Sequence, residues 1–317
     1  MRRAAAAGYW ALPSLVCLAI YWLGLHAWFS NDDFAWLSLN QRLQESGDLW
    51  GILFSPRAQG TIRPLSERGF FLLFNSLFGL DAFPYRLAVF LTQFANLALL
   101  CAIAGRITRS RLAGLLAALL WIANGMLAVV MSWTSAYNQA LCAFFVLASF
   151  WCLLRYIDTG RTGYCLLQWT AFILGFGALE VMVVYPAIAA CYTLLMSRRH
   201  FARTLWLFLP SVTYTGWHLW YAPAPATGVY AMHLTGHMAE TLWIYWKWAL
   251  CPVDMARSMF GLPEWAPNAA VLLLTTALLC FVVVQWRRGN RLGAFLLSWF
   301  LALIAPVLPL RDHMSDY

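Results

Sequence analysis

Charge is scarce in this chain. Only 11% of its 317 residues are Asp, Glu, Lys or Arg, against 62% hydrophobic residues, and the mean hydropathy is +0.66. A soluble domain spends roughly a quarter of its residues on charge, so this composition excludes one and marks an integral membrane protein. Lysine is nearly missing, with Lys247 alone beside 20 arginines. CxxC spacing is absent as well. The eight cysteines are Cys17, Cys101, Cys142, Cys152, Cys165, Cys191, Cys251 and Cys280, and all but Cys251 fall inside apolar runs. Neither a disulfide framework nor a cysteine zinc site is implied, and the cysteines read as small apolar-phase residues. Beyond Ala4 to Ala7 and the Pro223-Ala224-Pro225-Ala226 loop there is no low-complexity tract and no internal repeat, so a repeat architecture is excluded. The first apolar run, residues 9 to 29, follows Met1-Arg2-Arg3 and is not closed by a small-x-small cleavage site, because Leu25-His26-Ala27 fails at its first position. It reads as an uncleaved anchor with a cytoplasmic N-terminus.

What is present is a series of apolar runs long enough to cross a bilayer. After residues 9 to 29 they fall at about 85 to 105, 112 to 131, 137 to 154, 164 to 179, 181 to 197, 204 to 221, 269 to 286 and 292 to 309. The expected fold is an all-α integral membrane protein, a multi-helix bundle with about nine transmembrane helices and outer interfacial helices. Residues 1 to 317 form one polytopic domain in this reading, with outer loops at 30 to 84 and 222 to 268. The piece Gly69 to Leu80 is too short to cross and lies at the interface or re-enters. Residues 238 to 262 form an outer, Trp- and Tyr-rich interfacial helix.

Charge tests this topology. Nine crossings place 13 of the 21 basic residues in the short cytoplasmic turns, as the positive-inside rule requires. The net charge of +8 is therefore topology signal spread between spans. It forms no basic surface, so nucleic acid is not an expected partner. The acids run the other way: 12 of 13 fall on the outer side and only Asp158 falls inside. Their outward concentration suggests outer-face chemistry.

Several groups could carry that chemistry. Ser30-Asn31-Asp32-Asp33 follows the first span directly. Ser-x-x-Asp ahead of Trp36 and Leu39 is a helix-start signature, and acids in a first turn suit the helix dipole. The same pair also suits a general base at the membrane surface, so cap and base both stand for Asp32 and Asp33. Arg63 lies in the same loop near Arg57 and Arg68. Guanidinium grips phosphate oxygens bidentately, although an interfacial arginine can also simply snorkel. Lys247 and Arg257 could complete a phosphate site or anchor the interfacial helix. Glu180 breaks the apolar stretch Thr162 to Ser197 and marks an outer hairpin tip, either solvated or facing the same cavity. His233, His237 and Glu240 are spaced i, i+4, i+7, as metal ligands on one helical face would be. The terminal Arg311, Asp312 and His313 crowd ionisable groups at an outer exit. No cofactor is required by these patterns; a divalent metal is left open.

At this point the chain resembles a known family. NDDFAWL after a first span, the downstream TIRPL, LFGLDAFPYRLAVFLTQFANLALLCAIAGRITRS, WTSAYNQ at 133 to 139, Glu180 ahead of a Val-Val-Tyr-Pro run, and WIYWKWALCP are similar to the GT-C polytopic glycosyltransferases. Within these the likeness is to bacterial relatives of the protein O-mannosyltransferases and of the transmembrane, tetratricopeptide-repeat mannosyltransferases. The resemblance implies a multi-pass enzyme of the inner or plasma membrane that moves a sugar, mannose in those relatives, from a polyprenyl-phosphate donor to an acceptor hydroxyl on a protein, lipid or glycan. It implies Asp32 as base with Asp33 as fallback. Arg63 would bind the donor phosphate, with Lys247 or Arg257 assisting; from the residues alone, and apart from the resemblance, Glu180, Arg311, Asp312 and His313 could stand behind them. Relatives continue through further spans, so the chain is expected to be C-terminally truncated. The competing reading is a multi-pass transporter or flippase, or a non-catalytic membrane protein. Spans nearly free of ionisable residues speak against ion-coupled transport.

Overall fold

Apolar side chains at every position of a run leave the backbone as the one polar partner available in lipid, and helix is the local answer. The computed structural model describes residues 2–56, 60–223, 227–228, 231–250, 257, 261–263, 265–310 and 312, and among these there is helix and no strand. Among the described residues four helices are long and apolar enough to cross a membrane: Ala7–Leu25, Ala82–Thr108, Thr134–Thr159 and Trp265–Arg287. The other expected spans are shorter or broken. The stretch 112 to 131 is two helices, Arg111–Ile122 and Leu127–Ser132, interrupted around Asn124 and Gly125. The stretch 181 to 197 opens with a 3-10 turn, Glu180–Val184, before its α-helix. At about 1.5 Å per residue, the 12 residues of Arg111–Ile122 reach well short of a ~30 Å hydrocarbon core.

The helices are numbered in chain order. They are α1 (Arg2–Leu25), α2 (Asp33–Leu37), α3 (Leu39–Ser46), α4 (Leu49–Phe54), α5 (Phe70–Phe78), α6 (Ala82–Thr108), α7 (Arg111–Ile122), α8 (Leu127–Ser132), α9 (Tyr137–Thr159), α10 (Thr162–Gly175), α11 (Tyr185–Met196), α12 (Phe201–Leu205), α13 (Phe208–Tyr221), α14 (His237–Leu250), α15 (Trp265–Arg287) and α16 (Leu292–Ile304). The chain divides into two compact units, residues 1–185 with 210–215, and residues 186–209 with 216–316.

In the first unit α6 and α9 form the centre. They bury Tyr85, Val89, Phe90, Leu97 and Cys101 of α6 and Phe150, Leu153 and Leu154 of α9. Polar groups are admitted only with partners. Asn96 on α6 is fully buried and donates to the Ala140 carbonyl of α9 at 2.9 Å and to the Gln93 side chain at 3.3 Å. Close helix approach depends on glycine: a Cβ on Gly114 would lie 2.5 Å from the Cys101 carbonyl oxygen and from the Tyr9 hydroxyl. The Tyr21 hydroxyl of α1 donates to the Ile122 carbonyl at 2.7 Å, at the end of α7.

The polar loop between α1 and α6 is itself built of short helices that pack inward. Phe70 of α5 meets Tyr137 at 4.4 Å and Tyr85 at 5.7 Å between ring centroids. Asn75 donates to the Leu37 carbonyl at 2.8 Å, tying α5 to α2. Helix α5 covers nine residues, about 13.5 Å and under half a bilayer core.

In the second unit Trp246 of α14 donates to Thr275 of α15 at 2.7 Å, and Phe295 of α16 packs on Tyr192 of α11 at 5.1 Å. Helix α14 forms the first part of the Trp-rich segment expected at 238 to 262; residues 251–256 and 258–260 of it lie outside the described ones.

Candidate active site

The two neighbouring acids after α1 have opposite environments. Asn31 takes a left-handed backbone conformation, with φ of 49°, and the chain turns so that the Asp33 amide donates to the Ser30 carbonyl at 3.0 Å. The Asp33 carboxylate reaches back to the Ser30 amide, also at 3.0 Å. This is the reciprocal half of a capping box. The other Asp33 oxygen accepts from the Ser135 amide at 2.7 Å and the Ser135 hydroxyl at 2.6 Å. Asp33 is completely buried. Asp32 is exposed, and its side chain makes no capping bond. The cap and the free acid, both open for the pair in sequence, divide between its members.

Arg86, fully buried in the second turn of α6, holds the approach to this turn. Its guanidinium donates to the carbonyls of Ala27 and Trp28, each at 3.1 Å. The Asp33 charge acts on it, so a buried cation and a buried anion share the base of the turn.

A second cluster is centred on Arg63. Its Nε donates to both oxygens of Glu180, at 3.1 and 2.9 Å, and its Nη1 donates to Glu67 Oε1 at 2.7 Å. Asn138 Nδ2 donates to the same Glu67 oxygen at 3.0 Å. Burial acts against the Arg63 charge, but Glu180 and then Glu67 more than offset it and hold the group above its ordinary value. The local backbone explains the meeting. Residues Pro64–Gly69 form a π-helical turn, with the Arg68 amide donating to the Arg63 carbonyl, and it brings residue 67 beneath residue 63. That turn is stitched to the connection after α10. The Leu65 amide donates to the Gly177 carbonyl at 2.8 Å and the Ser66 hydroxyl to the Ala178 carbonyl at 2.6 Å. A Cβ at Gly177 would meet Leu65 Cγ at 2.8 Å, so the close approach that delivers Glu180 needs glycine there.

Arg68, grouped with Arg63 by sequence, does something else. It is fully buried and donates to the carbonyls of Leu53 at 2.7 Å and Thr61 at 2.6 Å, stapling α4 to the π turn. Arg57 lies outside the described residues. Glu180, expected at a hairpin tip, opens the 3-10 turn between α10 and α11 with its side chain 28% exposed.

The remaining candidates belong to the second unit. Lys247 sits half-buried on α14, and Arg257 is exposed. His237 begins α14, so His233 precedes the helix and the two do not share one helical face. His237 lies 3.4 Å from Glu240, and His233 lies 3.5 Å from Asp312. Among the described residues no three His, Cys, Asp or Glu side chains are gathered as a metal group. Arg311 and His313 lie outside the described residues.

Sequence reasoning missed Glu67, Ser135, Asn138 and Arg86 as site residues. The Arg63-x3-Glu67 spacing was the available signal for the first; Ser135 and Asn138 stood within the WTSAYNQ stretch.

Residues 69–215 match the family model described as dolichyl-phosphate-mannose-protein mannosyltransferase. Over that stretch the chain is similar to a GT-C mannosyltransferase-like family. Among curated proteins and among solved structures, none matches it significantly. The matched region starts after Asp32, Asp33, Arg63 and Glu67 and contains Ser135, Asn138 and Glu180. Three of the first group make contacts that cross into it: Asp33 to Ser135, Glu67 to Asn138, Arg63 to Glu180.

Proposed function

We propose that the chain is a membrane glycosyltransferase that transfers mannose or a related hexose from a polyprenyl-phosphate donor to an acceptor hydroxyl at the outer face of the cell membrane. In this reading the N-terminus is cytoplasmic, the chain crosses about nine times, and the acids gathered after α1 work on the extracytoplasmic side. The observation that carries it is the division of labour between Asp32 and Asp33. One carboxylate is buried as the anchor of the turn, and its neighbour is left exposed by that anchoring, in a segment tied by hydrogen bonds to the mannosyltransferase-like region.

The chemistry follows. Asp32 takes the proton of the acceptor hydroxyl while that oxygen bonds to C1 of the sugar. The bond from C1 to the phosphate oxygen breaks, and its electron pair leaves on the lipid phosphate. Arg63 answers the charge that gathers there. Its Nε and one Nη1 hydrogen are engaged, and of the five guanidinium N–H bonds the end facing away from the glutamates remains for phosphate. Glu67 and Glu180 together outweigh one guanidinium, so an arriving phosphate is favoured when Glu180, the more exposed of the two at 28% against 4%, yields its place. No metal is needed for a phosphate leaving against arginine.

The test incubates membranes containing the chain with a labelled polyprenyl-phosphate mannose and compares the wild type with Asp32→Asn and Asp33→Asn. Transfer by the wild type that is lost in Asp32→Asn is the expected result. Unchanged transfer in Asp32→Asn would remove the base assignment.

A further inference from the structure

Glu67 is a buried charge with half of its carboxylate unaccounted for. The residue is 3% exposed. Oε1 accepts from Arg63 Nη1 and from Asn138 Nδ2, at 2.7 and 3.0 Å, whereas Oε2 is buried with no hydrogen-bond partner. A buried carboxylate left half-satisfied is costly, and such groups persist where their charge or direction serves a purpose.

The chain of contacts runs one way. Asn138 sits in the first turn of α9, one of the rigid central helices, and is itself 7% exposed. It fixes Glu67, and Glu67 fixes one Nη1 hydrogen of Arg63. Glu180 holds Nε from the other side. A guanidinium is planar, so two anchors on different nitrogens set its position and plane before the donor arrives, and once Glu180 yields its place the Glu67 contact keeps the plane in which the free N–H bonds point. Of the two anchors Glu67 is the buried one, unable to exchange with water, and it belongs to the same π turn as Arg63.

We propose that Glu67, held by Asn138, is a positioning residue for the donor: it orients the Arg63 guanidinium so that its remaining N–H bonds present a fixed fork to the phosphate of the lipid-linked sugar. This rests on the glycosyltransferase reading above. Glu67 touches neither substrate, and its effect reaches the donor through Arg63 alone.

The experiment measures donor KM, acceptor KM, kcat and the Kd of a fluorescent polyprenyl phosphate, per folded protein judged by thermal melting in detergent, for wild type, Glu67→Ala, Glu67→Gln, Asn138→Ala and the double alanine variant. Loss of one charge-assisted contact is worth about tenfold in affinity. Glu67→Ala is therefore expected to raise donor KM and the polyprenyl phosphate Kd about tenfold, leaving acceptor KM unchanged. Glu67→Gln keeps a carbonyl that both Arg63 and Asn138 can reach, and restores most of that loss. The Glu67→Ala and Asn138→Ala effects on the donor are less than additive, because both act through one contact. A folded Glu67→Ala with wild-type donor KM and Kd overturns the proposal, as does a loss shared equally by donor and acceptor. A wild type that neither transfers from the donor nor binds polyprenyl phosphate overturns the glycosyltransferase reading itself, and this proposal with it.

Discussion

Exchanging each member of the acidic pair for its amide should separate fold from chemistry. In Asp33→Asn one oxygen can still accept from Ser135, but the new amide NH2 then faces the Ser30 amide, which the carboxylate met at 3.0 Å. A buried donor left against a donor costs about 1.5–3 kcal/mol for a bond to a charged group. Arg86, fully buried and under the influence of the Asp33 charge, also loses its counter-charge, a loss that reaches about 3–5 kcal/mol when a buried pair is broken outright. Arg86 keeps its two carbonyl contacts, so a net loss of about 3 kcal/mol is the reasonable figure, or a fall in melting midpoint on the order of 5–10 °C. Asp32→Asn changes an exposed side chain with no capping bond; its stability effect should stay within about 0.5 kcal/mol, while transfer falls by roughly 100 to 10,000-fold. The assay is a melting curve of the detergent-solubilised protein beside label transfer from polyprenyl-phosphate mannose. A wild-type melting midpoint in Asp33→Asn, or a large drop in Asp32→Asn, would refute the assignment of anchor and base.

Glu180→Gln removes a negative charge beside the proposed phosphate site. At ~6 Å, Coulomb's law gives about 0.7 kcal/mol in water and about 3 kcal/mol at an effective dielectric of 20. With the carboxylate 28% exposed a value near the lower end applies, so donor KM should fall about fivefold at low ionic strength and less in high salt; a rise in donor KM would show that Glu180 supports phosphate binding. Asn96→Ala removes the bond between α6 and α9 and should cost about 0.5–1.7 kcal/mol in a melting or steric-trapping measurement. A neutral effect would mean that lipid-facing packing alone holds those helices. Gly114→Ala drives a methyl into the Cys101 carbonyl and the Tyr9 hydroxyl and should destabilise by about 1–3 kcal/mol. Gly163→Ala, with nothing near its Cβ, serves as the silent control.

Hydropathy reads the length of an apolar run, and where a run is one unbroken helix the reading and the structure agree. The runs at 85 to 105, 137 to 154 and 269 to 286 correspond to α6, α9 and α15. Averaging over a window is also why the rest was less legible. Asn124 and Gly125 hardly lower the mean over 112 to 131, but they are enough to end α7 and start α8. The polar loop after α1 fails differently. Its helices α2 to α5 have five to nine residues, shorter than any window, and their order comes from partners such as Leu37 with Asn75 that sequence distance conceals.

The same separation in sequence governs the site. Position alone flagged Asp32 and Asp33, because acids rarely follow a span without cause. Which of them is free was decided by Ser135, 102 residues on. Arg63 was legible as a guanidinium near a membrane exit, yet its partner Glu180 stands 117 residues away, and nothing local announces the pairing. Glu67 was the one local clue, four residues from Arg63 in a stretch whose polarity reads as loop. A π turn there converts that spacing into a contact. Asp33, Glu67 and Arg63 are thus held from the 3-10 turn before α9, from α9 itself and from the α10 to α11 connection. The loop supplies the reactive groups and the helices supply their direction, so substitutions at Ser135 or Asn138 should act on the chemistry of residues that hydropathy assigns to a different part of the chain.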